Sequence, residues 1–142
     1  MGTIEGETMD LAINTLMRSG CRSKNKLYKK FVYWFCKHYF CCDIHPNDRL
    51  SLSANFAHNG LGVVINDDAI IDENVLIQHH VTIGTNGKGV PHIRGGVKIG
   101  AYAIILGDIE IGENAVIGAG AVVTKSIPAG ATVVGNPARI IK

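Results

Sequence analysis

Six histidines are the side chains best suited to proton transfer near neutral pH: His38, His45, His58, His79, His80 and His92. An imidazole has a pKa of about 6.5, so it can take the proton of an attacking hydroxyl, and its neutral form can bind a metal ion. Two of these histidines lie among three of the four cysteines, in the order Cys36, His38, Cys41, Cys42 and His45. The density would suit a metal site, but the spacing matches no zinc pattern. We interpret the segment as a cysteine-rich, packed helix end.

A six-residue repeat positions most of the remaining candidates. A branched apolar residue returns every six positions, with one interruption, at Ile65, Ile71, Ile77, Ile83, Ile93, Ile99, Ile105, Ile111, Ile117 and Val123. A second small or branched residue follows most of these by four positions, at Ala69, Val75, Val81, Val97, Ala103, Ile109, Ala115, Ala121 and Ile127. This period predicts a parallel β-helix, an all-β solenoid in which single repeats are too short to bury their own apolar face and must stack.

Three repeats would make one triangular coil, so residues 18 positions apart should lie on the same side of the solenoid. Ile99 is then expected to pair with Ile117, and Ala101 to share a corner with Ala119. The rhythm breaks at residues 84–92, a polar and glycine-rich segment where we expect binding. An irregular first coil would precede the regular ones, with inward residues at Ile44, Leu50 and Phe56.

Two helices are predicted before the solenoid. Apolar residues at helical spacing (Met9, Ile13, Leu16, Met17) follow a loose lead-in over residues 1–6 and indicate a first helix that ends near Ser19–Gly20. A second helix would run from about Ser23 to Tyr39 and contains most of the aromatic residues. We interpret it as a cover for the open end of the solenoid, where unpaired strand edges would otherwise aggregate. The alternative is a basic, aromatic helix that lies on an anionic membrane surface.

Charge and composition exclude several classes of protein. Residues 11–42 contain seven bases and no acid, whereas residues 43–142 contain seven bases and nine acids, so the repeats give no electrostatic reason to expect nucleic acid. The chain has 142 residues, of which 46% are hydrophobic, and it has no apolar run of about 18 residues and no signal-peptide pattern. The cysteines are confined to one short segment, which argues against a disulfide-framed secreted domain. We predict a cytoplasmic protein, with the inner face of the membrane as a second location.

Particular motifs carry a family resemblance over about 100 residues. They are Asp43-Ile44-His45-Pro46, His58, Gly62-Val63-Val64-Ile65, Val81-Thr82-Ile83-Gly84, Ile117 to Lys125 and Val134 to Arg139. Together they resemble the hexapeptide-repeat acyltransferases, and in particular the serine acetyltransferase branch with its short relatives in surface-polysaccharide clusters. The resemblance implies a left-handed parallel β-helix with a short N-terminal helical segment. It also implies a homotrimer with active sites between subunits, acetyl-CoA as donor and a hydroxyl as acceptor.

By the same resemblance, His58 is the expected general base and Asp43 the carboxylate that orients its ring. A base of this kind typically contributes ~10²–10⁴-fold to the rate, because a hydroxyl is a poor nucleophile near neutral pH. His79 and His92 are weaker candidates for contact with substrate, and no metal is expected. The division that follows is an N-terminal helical segment over 1–42, an acyltransferase domain over 43–128 and a tail over 129–142.

The donor would lie along backbone groups at corners built from small residues. The positions that fall on acetyl-CoA contacts are Gly84, Ala101, Ala119, Thr124, Lys125 and Arg139, and the two bases could meet phosphates. The structural alternative is that Ala101 and Ala119 are only tight corners and that Lys125 is a solvated charge.

The acceptor is where the chain departs from the serine acetyltransferases. Ala57 stands where those enzymes have an aspartate that holds the ammonium group of serine, and Gly89-Val90 replace an Arg-His pair before Pro91. A zwitterion needs such countercharges, so we predict a sugar or polysaccharide hydroxyl as acceptor, with serine as the alternative. Ala57 is retained as a substrate-binding position.

Two other classes of β-helix protein are less consistent with the sequence. A zinc-dependent carbonic anhydrase built on a β-helix needs two histidines five positions apart, and no pair of the six histidines has that spacing. A non-catalytic β-helix scaffold would predict that removing His58 has no effect on activity.

Overall fold

The computed structural model describes the backbone of residues 5–142 and the side chains of residues 12–142. It begins with two helices, α1 (Glu5–Arg22) and α2 (Lys26–Tyr39). The lead-in predicted over 1–6 lies partly outside the described residues, and its last two residues are already helical. Asn25 sets the start of α2, because its side chain accepts hydrogen bonds from the backbone N–H groups of Leu27 and Tyr28. The first helix ends two to three residues later than predicted, and the second begins about three residues later but ends at Tyr39 as predicted. Neither helix, within the described residues, is long and apolar enough to cross a bilayer.

Thirteen short strands follow. They are β1 (Asn55–Phe56), β2 (Val64–Ile65), β3 (Ile70–Ile71), β4 (Leu76–Ile77), β5 (Thr82–Gly84), β6 (His92–Ile93), β7 (Lys98–Ile99), β8 (Ile104–Leu106), β9 (Glu110–Ile111), β10 (Val116–Ile117), β11 (Val122–Val123), β12 (Thr132–Val134) and β13 (Arg139–Ile140). They form three sheets, which are the faces of a triangular solenoid. The first face is β1-β4-β7-β10-β12-β13, the second is β2-β5-β8-β11 and the third is β3-β6-β9. Every pairing except β12 with β13 is parallel, which confirms the predicted solenoid.

The core runs along the inside of the coils and consists of the residues that the repeat predicts. All ten residues of the six-residue series are buried, as are Ile44, Leu50 and Phe56 of the first coil. Of the second series only Ile109 is partly exposed. Ile99 pairs with Ile117 as expected. Each buried Ile or Val side chain contributes on the order of 1.5–3 kcal/mol, so the stacked coils hold one another in place.

The interruption of the repeat is contained in one corner. Ile65 pairs with Ile83 on the second face at the regular spacing, whereas on the third face Ile71 pairs with Ile93. The four extra residues therefore lie between β5 and β6, and the pairing is regular again from β6 to β9. Glycines let this loop lie close to the next coil: a Cβ on Gly89 would be 2.6 Å from the Cβ of Asp108.

The first coil is covered by α1 rather than by the aromatic α2. Asn14 of α1 donates to the side chain of Asn55 at 2.7 Å and accepts from the backbone N–H of Phe56 at 2.9 Å. These bonds satisfy the polar edge of β1, which would otherwise be open to association. At the other end, Thr132–Val134 continues the parallel first face past residue 128, with Ala131 and Val133 buried. The division at 42 and 128 stays a prediction.

Candidate functional site

His58 lies on a turn with unusual backbone geometry. The turn Ala57–Gly60 follows β1, and His58 and Asn59 have φ angles of 51° and 54°. Two successive non-glycine residues in the left-handed region are uncommon and are a form of strain found at functional sites. The turn leaves the His58 side chain exposed, whereas Gly60 beneath it is packed against Ile13 of α1. The predicted base is therefore accessible and held on a fixed support.

Three other rings lie at the same corner as His58, between the first and second faces, and one of them contacts it. The ring of His79 is perpendicular to that of His58, with centroids 5.0 Å apart. Tyr102 stacks on His80 at 4.8 Å with an angle of 14° between the planes, and its ring also contacts His79 at 5.4 Å. We call the set formed by His58, His79, His80 and Tyr102 the ring cluster.

At this corner, backbone hydrogen bonds connect each coil to the next. The N–H of His80 donates to Leu61 O at 2.8 Å, and the N–H of Tyr102 donates to His79 O at 3.1 Å. The N–H of Gly120 then donates to Ala101 O at 2.8 Å. Ala101 and Ala119 thus share the corner that His58 begins, as the repeat predicts.

Two buried polar atoms beside His58 lack a hydrogen-bond partner among the described residues, namely Asn59 Oδ1 and His79 Nδ1. Buried polar atoms are nearly always paired, so such an exception calls for a functional or steric reason. The packing is also tight at Gly62, where a Cβ would be 2.0 Å from Nδ1 of His80. Only glycine at this position admits the His80 ring.

Asp43 is bonded to α2. Its Oδ1 accepts from the hydroxyl of Tyr33 at 2.9 Å, and its Oδ2 accepts from Nζ of Lys37 at 3.1 Å. Burial opposes ionisation, but the hydrogen bonds from Tyr33 and Lys37 outweigh it and lower the pKa of Asp43. Within residues 12–142 no hydrogen bond or ion pair joins Asp43 to His58. The two predicted catalytic residues are both in the first coil, yet they have different partners.

Asp43 lines a groove of about 510 Å³ along the second face. Tyr33 and His45 form one wall, where their rings stack at 3.6 Å and Nδ1 of His45 contacts Oδ1 of Asp67 at 2.6 Å. Gly84 lies at the far side of this groove. Gly84 is thus separated from Ala101 and Ala119, which lie at the corner with His58.

The other predicted contacts are distributed over the solenoid. Thr124 and Lys125 are exposed just after β11, on the same side as Gly84, and Arg139 is exposed on β13. His92 lies on the third face, where its Nε2 contacts Oδ1 of Asp72 at 3.0 Å. His92 is therefore in contact with Asp72 on the third face and is not part of the ring cluster.

Comparison with known proteins identifies the repeat. Residues 91–125 match the family described as bacterial transferase hexapeptide (six repeats). Over these residues the chain therefore carries the hexapeptide repeat of bacterial transferases. Its solenoid is the left-handed parallel β-helix of that family, so the predicted fold is confirmed.

Similar proteins of this hexapeptide type are serine acetyltransferases. The one from Buchnera aphidicola (subsp. Acyrthosiphon pisum) is 45% identical over 107 residues, which are 72% of this chain and 39% of the relative. The Escherichia coli K12 enzyme is 43% identical over 106 residues, 72% of this chain and 38% of its own length. The chain thus spans about two fifths of the length of the curated relatives that it matches.

Solved structures of serine acetyltransferases have the same fold. The complex with serine from Neisseria gonorrhoeae superposes with a TM-score of 0.81 at 35% identity, covering 94% of this chain and 57% of that one. The complex with coenzyme A from Brucella abortus strain S19 gives a TM-score of 0.75 at 36% identity, covering 94% and 56%. These matches extend well beyond the repeat, since they cover 94% of the chain.

Two of the cysteines in front of the hexapeptide repeats, Cys36 and Cys42, are buried. No group of three or more Cys, His, Asp or Glu side chains converges on a possible metal position in the described part of the chain. Burial raises the pKa of Cys36 to about 11 and that of Cys42 to about 12, so both thiols are protonated near neutral pH. The sequence interpretation of a packed helix end agrees with this arrangement.

Sequence reasoning missed three neighbours of the predicted site. Tyr33 and Lys37 hold Asp43, but nothing in their spacing indicates which coil residue they face. Tyr102 could have been found, since it follows His80 by one coil plus the four inserted residues and both have positive φ angles of 61° and 55°. Aligning the corners rather than the inward residues would have placed the two rings together.

Proposed function

We propose that the chain is an acetyl-CoA-dependent O-acetyltransferase in which His58 is the general base. The observation that carries this proposal is the position of His58. Its exposed imidazole is fixed on a strained turn, at the corner that also bears Ala101 and Ala119. The named activity of the similar proteins supports the same reaction.

The reaction would proceed in one coupled transfer. The imidazole of His58 takes the proton of the acceptor hydroxyl as its oxygen attacks the thioester carbonyl carbon of acetyl-CoA. A C–O bond forms, the C–S bond breaks, and the departing thiolate of CoA receives the proton. Asp43 as the residue that orients His58 stays a prediction, because its carboxylate here accepts from Tyr33 and Lys37.

For the donor, we propose a path along the corner of His58. Ala119 and Gly120 are exposed, and a Cβ built on Gly120 meets nothing within 4 Å, so there is room for a narrow chain. Backbone groups of Ala101 and Ala119 could then bind the amides of the pantetheine arm. Tyr102 lies at the same corner, where its ring contacts His79, and would limit how the acyl group approaches.

We propose a homotrimer because the donor residues are divided. Ala101 and Ala119 lie at one corner, whereas Gly84, Thr124 and Lys125 lie on the other side of the second face. A symmetric assembly can bring the corner of one subunit against the second face of the next and so join both sets. Light scattering coupled to size exclusion would test this: a monomer at assay concentrations would contradict it.

The acceptor favoured by the comparisons is serine. The relatives named above are serine acetyltransferases, and one similar structure contains serine. This supports the alternative from the sequence better than the predicted sugar or polysaccharide hydroxyl. We therefore propose L-serine as the first acceptor to test.

A sugar hydroxyl is kept as second candidate on one observation. Ala57, beside His58, has no charge, and the ring cluster supplies imidazoles and a phenol but no carboxylate for an ammonium group. Serine would have to find its countercharge elsewhere in the assembly, whereas a neutral sugar needs none.

The deciding assay measures thiol release from acetyl-CoA. Acceptors are L-serine, N-acetyl-L-serine, nucleotide sugars and glycan fragments, and the product is verified by mass spectrometry. Turnover with serine but not with its N-acetyl derivative would indicate recognition of the ammonium group. If no acceptor in the panel increased thiol release by the folded protein, the proposed activity would be wrong.

A further inference from the structure

The helix α2 has an exposed apolar stripe that the fold does not use. Leu27, Phe31 and Trp34 follow one another at helical spacing and are 78%, 54% and 55% exposed. The opposite side of the helix, with Val32 and Cys36, is fully buried in the core. Large apolar side chains that are contiguous and exposed on a packed helix indicate a surface that binds something.

One edge of this stripe is basic. Lys26 and Lys30 directly precede Leu27 and Phe31 on the helix, and both lysines are exposed. The other edge carries Tyr28 and the more exposed Tyr39. Lysines and aromatic rings that flank an apolar stripe are typical of helices that lie in a membrane interface.

A groove continues the basic edge toward the first coil. It has a volume of about 430 Å³ and is lined by Lys26, Lys29, Lys30 and Arg49, together with the acidic Asp48 and Asp67. Asp67 is already bonded to His45, and Arg49 is paired with Asp68. The lysines at this edge are thus positioned to meet a phosphate group that enters from the side of the apolar stripe.

We propose that α2 lies on an anionic lipid surface, with Leu27, Phe31 and Trp34 in the acyl boundary and the lysines against phosphate headgroups. Charge complementarity selects this occupant. Residues 11–42 contain seven bases and no acid, so this region of a second copy would bring like charges together. A nucleic acid would match the charge but would leave the apolar stripe in water. An anionic bilayer matches both features.

Trp34 provides a direct readout because it is the only tryptophan of the chain. We expect its fluorescence to shift to shorter wavelength with vesicles of phosphatidylcholine mixed with phosphatidylglycerol, and the protein to float with them. Pure phosphatidylcholine vesicles should bind at least tenfold more weakly, and added salt should release the protein from the mixed vesicles.

Matched variants separate charge from apolar contact. Lys26→Gln with Lys30→Gln should weaken partitioning roughly tenfold or more, whereas Lys98→Gln with Lys142→Gln, which removes the same charge from the solenoid, should change it less than about twofold. Phe31→Ser should abolish the shift, and Ile141→Ser, an exposed apolar control, should not. Circular dichroism verifies that each variant is folded.

Two results would overturn the proposal. One is the absence of any Trp34 shift or co-flotation with anionic vesicles for the folded wild-type chain. The other is a Trp34 shift that grows with protein concentration without lipid, since a second copy would then cover the stripe. Neither depends on the acetyltransferase assay, so this inference stands or falls separately from the proposed function.

Discussion

The ring of His58 lies perpendicular to the ring of His79, with the two centroids 5.0 Å apart. His58 is exposed on its turn, whereas Nδ1 of His79 is buried and has no hydrogen-bond partner among the described residues. The contact links the last turn of the first coil to the next coil of the same corner. It restricts the orientations open to the His58 ring, and a general base must be oriented toward the proton that it takes.

His58→Asn is expected to lower turnover by ~10²–10⁴-fold, because it removes the base. Asparagine is the suitable replacement, since it tolerates the positive φ angle of residue 58 better than alanine. Thiol release from acetyl-CoA at saturating acceptor measures the effect. Full turnover by a folded His58→Asn protein would eliminate His58 as the base.

His79→Ala is expected to lower kcat by about ten- to a hundredfold with little change in KM, because the His58 ring loses its neighbour and its alignment. His79→Phe restores a ring of similar packing and should recover most of kcat. His38→Ala, which removes an exposed histidine of α2, serves as the control. A kcat for His79→Phe as low as that for His79→Ala would indicate that the His79 nitrogen, and not its packing, is required.

The contact of Asp43 with Tyr33 and Lys37 predicts a defined pH range of stabilisation. The pKa of Asp43 is lowered, so its contribution is present above the usual carboxyl range and is lost as the pH falls through the lowered value. Hydrogen bonds to Tyr33 and Asp43 raise the pKa of Lys37, so its contribution is present below the usual range and is lost only as the pH rises through the raised value. Between about pH 4 and about pH 10 both groups are charged.

Lys37→Met should therefore reduce the free energy of unfolding throughout that range, and the difference from wild type should shrink as the medium becomes acidic. Urea unfolding at a series of pH values measures it. Arg22→Met, which removes a base of α1 with no acidic partner in the described residues, is the control. A difference that stayed constant down to the acid limit would show that Lys37 stabilises the fold by packing alone.

Gly100→Ala is expected to destabilise the solenoid by about 1–3 kcal/mol, because the added Cβ would lie 2.5 Å from the backbone nitrogen of Ala119. Gly84→Ala is the matched control. Its Cβ would meet only the end of the Leu106 side chain, at 3.3 Å, and that side chain can move. Urea denaturation at equal protein concentration distinguishes them, and equal losses would mean that the coils adjust more readily than this packing indicates.

Thiol reactivity should differ sharply between Cys41 and the two buried cysteines, Cys36 and Cys42. Cys41 is exposed, whereas burial raises the pKa of Cys36 to about 11 and that of Cys42 to about 12. A maleimide reagent near neutral pH should therefore label Cys41 in the folded protein and leave Cys36 and Cys42 unmodified. Peptide mass spectrometry locates the label, with the urea-unfolded chain as control. Equally fast labelling of Cys36 would contradict the packed arrangement of the helix end.

The inward residues of the solenoid could be predicted because burial recurs at a fixed period. The burial of the series from Ile65 to Val123 follows from its six-residue spacing alone. The inserted residues are visible in the sequence as the one ten-residue step, between Ile83 and Ile93. The neighbours of Asp43 could not be predicted in this way. Tyr33 and Lys37 reach it through the packing of a helix against a coil, which depends on three-dimensional position and leaves no period in the sequence.

In the candidate site, too, some positions could be predicted from the repeat and others could not. Ala101 and Ala119 were placed at one corner by spacing alone. The contact of His58 with His79 depends on a left-handed turn that no spacing indicates, and the pairing of His92 with Asp72 depends on the register of the third face. Side chains that point outward from the coils carry no packing constraint that the repeat could reveal.

The four residues inserted between β5 and β6 leave the strand pairings on all three faces regular. A longer or shorter segment at that corner would leave the same hydrogen bonds and the same buried isoleucines in place. The length of this loop can therefore change at little cost in strand pairing, while the corner that bears His58, Ala101 and Ala119 stays fixed. In an engineered version, the loop is the place to exchange whole segments when a different acceptor is wanted.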